Sequence, residues 1–206
     1  ITAVGFEALS SNTTANNNTA VGFRSMYTNS TGYNNSAVGY ASLYSNTDGY
    51  HNTALGYYSL LTNSTGLVNT AVGVAALQSN TSGSSNVAVG ADALISSTTA
   101  NANTAVGYQA GYYITGSSNT HVGYQAGRGL SSPGTNSQNV YIGQAAAVNQ
   151  SGSTSNNVVV GYAAAQNLTT TGGNTVVGNF ACQNTTNGWS TALGYSALVT
   201  NTSGGN

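Results

Sequence analysis

A branched apolar residue followed directly by glycine marks the period of this chain. It stands at Val4, Val21, Val38, Leu55, Val72, Val89 and Val106, each 17 residues after the last. The series continues at Val122, Ile142, Val160, Val177 and Leu193, with gaps of 16, 20, 18, 17 and 16. Aligned on the glycine, the twelve copies share the unit Asn-Thr-Ala-Val-Gly-Tyr-x-Ala-Leu-x-Ser-Asn-Thr-x-Gly-x-x. A unit so short buries its apolar residues only by stacking on its neighbours. The pattern therefore predicts a solenoid: twelve coils of about 17 residues forming one array over residues 1–206.

Each position of the unit has its own chemistry. The third residue after the glycine is always small, as at Ser42, Ser59, Ala76 and Ala93, and the fourth is usually Leu, as at Leu43, Leu60, Leu77 and Leu94. Such positions stack like on like, about 4.8 Å apart along the axis. The Thr-Ala-Val run, often followed by Tyr or Phe, favours strand. Helical solenoids need repeats of roughly 33 residues or more, so the fold class is all-β, a parallel β-solenoid of the β-roll or β-helix kind. Asn precedes the strand in ten coils, as at Asn18, Asn35 and Asn52. It suits the left-handed angles of a turn, and stacked copies form an amide ladder. Ser45-Asn46-Thr47-Asp48-Gly49 is one example of the second corner. Glycine in the strand marks a bend or a close backbone approach.

Three of the five charged residues, Glu7, Arg24 and Asp92, stand second after the glycine. An unpaired charge is costly inside a thin core, so this position is expected to face outward. Strand alternation then places the glycine and the alanine two before it (Ala20, Ala37, Ala54) on the same outer side, as a smooth strip against which another chain could pack. Over 108–188 the spacing wanders and the Leu slot becomes Gly111, Gly127, Ala147, Ala165 and Cys182, which predicts a thinner core. An inserted loop near 129–137 carries Ser131-Ser132-Pro133-Gly134 and the one proline. The part-units at the two ends add up to one full repeat. The expectation is a window of a longer array, or copies stacked end to end with an axial repeat of roughly 58 Å. With no initiator Met and no signal-like start, the chain reads as processed or cut from something longer.

Composition narrows the function classes. Charged residues make up 2% of the chain and the net charge is -1. Nucleic acid is a poor partner, because there are almost no cations to neutralise phosphates. A polybasic membrane contact fails for the same reason, and no stretch approaches the ~18 apolar residues of a spanning helix. Cys182, the single cysteine, excludes an internal disulfide and reads as a small apolar filler in the Leu ladder. Three scattered acids do not make a catalytic pair. His51 sits in a turn and His121 replaces the outward alanine, so both read as plain surface residues. No catalytic, cofactor-binding or metal site is expected.

The polar turns repeat Asn-x-Ser/Thr, and Asn12, Asn29, Asn63, Asn80 and Asn201 are the candidate glycosylation sites. Turn chemistry alone is the competing explanation for them. The recurring Asn-Thr-Ala-Val-Gly-Tyr-x-Ala, as at Asn52–Ser59 and Asn103–Ala110, resembles the head repeat of trimeric autotransporter adhesins, with its Asn-Ser-Val-Ala-Ile-Gly-x-x-Ser signature. Repeats of phage tail fibres and bacterial surface fibres are similar. The resemblance implies a left-handed parallel β-roll, an extracellular or cell-surface setting, homo-oligomerisation and a structural or adhesive role. The leading expectation is thus a structural protein of an extracellular fibre, appendage or adhesin, with other copies of itself, and possible glycans, as partners. One alternative is ice binding through the Thr ladder at Thr2, Thr19, Thr53 and Thr70. Another is carbohydrate or receptor binding through Tyr40, Tyr57, Tyr108 and Tyr124, residues that also fit a stacked ladder supporting the coil.

Overall fold

The computed structural model describes residues 1–130, 135–151, 154–169, 172–185 and 188–201, the side chains of Thr185 and Asn201 excepted. The predicted insertion Ser131-Ser132-Pro133-Gly134 lies outside the described residues. The fold is all-β, a parallel β-solenoid whose coils follow one another about 17 residues apart. Two compact units divide the chain, Ile1–Ala102 and Asn103–Asn206. The first holds β1 (Thr2–Val4), β2 (Thr19–Val21), β3 (Ser36–Val38), β4 (Thr53–Leu55), β5 (Thr70–Val72) and β6 (Val87–Val89). The second holds β7 (Thr104–Val106), β8 (Thr120–Val122), β9 (Val140–Ile142), β10 (Val158–Val160), β11 (Asn167–Leu168), β12 (Thr175–Val177), β13 (Asn184–Thr185), β14 (Thr191–Leu193) and β15 (Thr200–Asn201).

Register is set by identity. In the first unit Thr2 pairs with Thr19, Thr19 with Ser36, Ser36 with Thr53, Thr53 with Thr70 and Thr70 with Val87, all in parallel. In the second unit β7, β8, β9, β10, β12 and β14 pair in that order, and β11, β13 and β15 form a small second sheet. Each coil opens on a three-residue strand followed by a tightly wound segment, and the coils of β10, β12 and β14 add a second, two-residue strand. That segment winds by left-handed residues second and fourth after the glycine, Ala41 (φ 49°) and Leu43 (φ 52°) in the third coil. An extended strand would send the adjacent Ser42 and Leu43 to opposite faces, whereas here both are fully buried. The conformation costs about 1–2 kcal/mol per non-glycine residue. Coil-to-coil bonds offset it: Ala41 N–H donates to Phe23 O at 2.9 Å and Leu43 N–H to Ser59 O at 2.9 Å, one coil back and one coil forward.

The outward alanine strip is corrected. Ala20, Ala37, Ala54, Ala71 and Ala88 are at most 1% exposed and form the inward ladder facing Met26, Leu43, Leu60, Leu77 and Leu94. The residues flanking each alanine point to solvent instead, with Val38 39% and Leu55 47% exposed. Alternation does not carry across the glycine, because Gly39 has φ 140° and turns the chain there. The charged residues second after the glycine are partly exposed, as expected, yet they say nothing about the face of residues before the bend.

The thinner core of the second unit is corrected too. Where the Leu slot shrinks to Gly127 and Ala147, the alanine slot of β8 and β9 swells to His121 and Tyr141, both buried. A Cβ on Gly127 would lie 2.7 Å from His121 Nδ1 and 2.8 Å from Tyr141 Cδ2, so the exchange of large for small is complementary. Further along, Val159 and Val176 take the alanine slot opposite Ala165 and Cys182 in the same core.

Candidate functional site: the side-chain ladders

Polar chemistry in this molecule is organised as columns of like residues. The predicted amide ladder before the strand is present: the backbone N–H groups of Asn35, Asn52, Asn69 and Asn86 each donate to the Oδ1 of the preceding asparagine at 2.9–3.0 Å. Their Nδ2 atoms reach carbonyls of the second corner, as Asn52 to Gly66 O at 2.8 Å. These asparagines do not themselves take the left-handed conformation. The residue before each one does, namely Asn17, Asn34, His51, Val68 and Ser85, with φ of 55–60°. Asparagine is used here for its paired donor and acceptor rather than for its backbone tolerance.

The second ladder runs through the candidate glycosylation sites. Asn46 donates to Asn29 at 2.6 Å, Asn63 to Asn46 at 2.9 Å and Asn80 to Asn63 at 2.7 Å, always Nδ2 to Oδ1. The same Nδ2 atoms also bond the glycine carbonyl three residues on, as Asn63 to Gly66 at 3.1 Å. Asn29, Asn63 and Asn80 are fully buried. A glycan on Nδ2 would remove a ladder bond and would have no space in the folded core, so the burial of these three candidates favours turn chemistry as the reason for their recurrence. Asn12 is half-buried at the start of the same column, its Nδ2 3.2 Å from Ala15 O. The side chain of Asn201 lies outside the described residues. Asn17, in another Asn-x-Thr triplet, is exposed, a distinction that the triplet alone does not carry.

The ladder makes a stability prediction. Asn63→Ala leaves Asn46 Oδ1 and Asn80 Nδ2 each without a ladder partner inside the core. A loss of about 2 kcal/mol is expected in urea unfolding, against under about 0.5 kcal/mol for Thr14→Ala on the exposed turn. Equal effects would show that the column carries no stability.

Aromatic residues also stack coil on coil. Phe6, Phe23, Tyr40 and Tyr57 form one column with centroids 5.0–5.4 Å apart and planes within 20°. Tyr108 and Tyr124 repeat the arrangement in the second unit at 5.3 Å. Stacked rings cover one another's faces, and a sugar ring needs an open face, so the columns favour the supporting role over carbohydrate binding. Arg24 lies beside this column, 5.1 Å from the Phe23 ring centre, with Nε 2.6 Å from Glu7 Oε2. That bond holds the guanidinium above its ordinary pKa, and an ion pair so exposed contributes little to stability. A hollow of about 210 Å³ lies among Phe23, Arg24, Tyr40, Tyr44, Tyr58 and Leu61, its polar side chains being one guanidinium and three phenols.

His51 is exposed, as expected, against the edges of Tyr33 and Tyr50. His121 is not a surface residue: it is 1% exposed and stacked on Tyr141 at 5.1 Å and 14°. Neither of its ring nitrogens has a hydrogen-bond partner, and burial pushes its pKa down to about 3. Burial likewise pushes the Tyr141 phenol up. The signal was in the sequence as a paired departure, large in the alanine slot with glycine in the Leu slot. Cys182 fills the core ladder as predicted, fully buried.

Among the described residues no three of His, Cys, Asp and Glu gather as a metal-binding group. No helix among them is long and apolar enough to cross a membrane. A scan against protein-family models, a search of curated proteins and a search of solved structures each found no match.

Proposed function

We propose that this chain is a structural element of an extracellular fibre, surface appendage or adhesin head, built from coils stacked end to end. One observation carries the reading: coils stack in register with like on like, Ala3 on Ala20, Ala20 on Ala37, Ala37 on Ala54 and Ala54 on Ala71. Each coil thus offers the next one the same strand edge and the same apolar face as a template. Repeated by translation and a small twist, such a contact does not close and makes a filament. The near absence of charge and the exposed Asn17 triplet fit an extracellular fibre protein better than a catalyst.

Electron microscopy and fibre diffraction of the native material test the reading. Filaments with an axial spacing of ~4.8 Å per coil are expected. Compact, monodisperse monomers at every concentration would overturn it. Mass spectrometry of the same material is expected to find any N-glycan on exposed asparagines such as Asn17 and none on Asn29, Asn63 or Asn80.

A further inference from the structure

The inward turn of the alanine column leaves two ranks of side chains on the outer face of the first unit's sheet. One rank runs Thr2, Thr19, Ser36, Thr53 and Thr70, and beside it runs Val4, Val21, Val38, Leu55 and Val72. We infer that this face is an ice-binding surface, a regular array of hydroxyl and methyl groups that holds water in an ice-like arrangement.

Four observations carry the inference. First, none of the five hydroxyls in the rank makes a bond within the protein, although hydroxyls elsewhere do so freely. Thr28, Thr47, Thr62 and Thr81 of the turns all donate to carbonyls of the next coil at 2.8–3.2 Å. The rank is open to solvent, with Thr2, Ser36 and Thr53 exposed and Thr19 and Thr70 half-exposed. Second, no strand of this sheet contains Asp, Glu, Lys or Arg, so no charge on β1–β6 imposes its own hydration shell on the array. Third, in-register pairing spaces the sites evenly, ~4.8 Å between coils and roughly 6.6 Å between the two ranks. Those spacings are of the order of the oxygen repeats in hexagonal ice. Fourth, Thr and Val, which fill every position of the two ranks but Ser36 and Leu55, are nearly isosteric and β-branched, so they stand at similar height and are stiff at χ1. The array is ordered before water arrives, and little entropy is lost on binding.

This inference does not rest on the fibre reading, since a single unit presents the whole array. The test is thermal hysteresis and inhibition of ice recrystallisation by the 206-residue chain, together with its uptake into a growing ice front. The wild type is expected to be active in all three. Thr53→Tyr/Thr70→Tyr breaks the plane of the array with a residue that suits strands, and is expected to lose the activity while far-UV circular dichroism and melting stay unchanged. Thr99→Tyr, on an exposed turn, is expected to keep it. If the double Tyr variant fails to fold, Thr53→Lys/Thr70→Lys reads the same face. Exclusion of the wild type from ice, or full activity in a folded variant of the rank, overturns the inference. Filament formation is scored separately, so failure here leaves the assembly reading standing and the reverse is equally true.

Discussion

Gly56→Ala is expected to lose at least about 3 kcal/mol of stability, because two independent penalties fall on one methyl group. Gly56 has φ 140°, a backbone conformation that side chains rarely adopt. A Cβ there would also lie 2.7 Å from the carbonyl carbon of Gly73 in the next coil, with that carbonyl oxygen closer still. The offending atoms are backbone, so no rotamer change relieves the overlap. Gly194 separates the two penalties. It has φ 125° but nothing within 4 Å of a Cβ, so in the 206-residue chain as a monomer Gly194→Ala carries only the conformational cost, about 1–3 kcal/mol. Coils contact mainly their neighbours, so Gly56→Ala is also expected to uncouple the coils on either side and broaden the urea transition. Equal losses in the two variants would mean that close stacking of the glycines does not explain their recurrence.

Acidification is expected to unfold the second unit selectively. His121 titrates at about 3 when folded and near the ordinary 6.5 when unfolded, so the unfolded state binds the extra proton as pH falls through that window. The stability tied to neutral His121 is whole above pH ~6.5 and declines by about 1.4 kcal/mol per pH unit below it, reaching about 3 kcal/mol at pH 4.5. No neighbour offsets the charge. The ring is stacked on Tyr141, and the segment 103–206 contains no Asp or Glu and one cation, Arg128. Trp189, the single tryptophan, lies in this unit and reports its unfolding by fluorescence. His121→Phe keeps an aromatic ring against Tyr141 and is expected to remove the acid sensitivity. At the alkaline end, the raised Tyr141 pKa works in the opposite sense, and stability falls once pH rises above the ordinary tyrosine value near 10. A wild-type transition that does not move between pH 7 and 4.5 would rule out a neutral buried His121.

Much of the ladder architecture could be read directly from the chain, because a repeat states each contact many times. Leu43, Leu60, Leu77 and Leu94 share one slot, and a parallel coil of fixed length has to stack them. Asn18, Asn35 and Asn52 likewise announce an amide column, since a buried amide that recurs every coil finds its donor and acceptor in its own copies. The candidate sites fared differently. Asn63 and Asn17 both begin an Asn-x-Ser/Thr triplet, and only the fold separates the buried ladder member from the exposed turn residue. His121 reads as a surface residue by strand alternation, whereas the bend at the glycine turns its slot inward and buries it.

Period, parallel stacking and register all follow from the spacing of like residues along the chain. Which side of each strand is the inside follows only from the folded backbone. That choice depends on backbone angles at Gly39 and its equivalents and on the left-handed pairs such as Ala41 and Leu43. Alternation is a rule for extended backbone, and it ends where φ turns positive. The same bend that buries Ala37 lifts Ser36 and Val38 to solvent, and so creates the outer face. A one-dimensional pattern records that those residues recur together, while their direction is settled by packing against the Leu column across the coil.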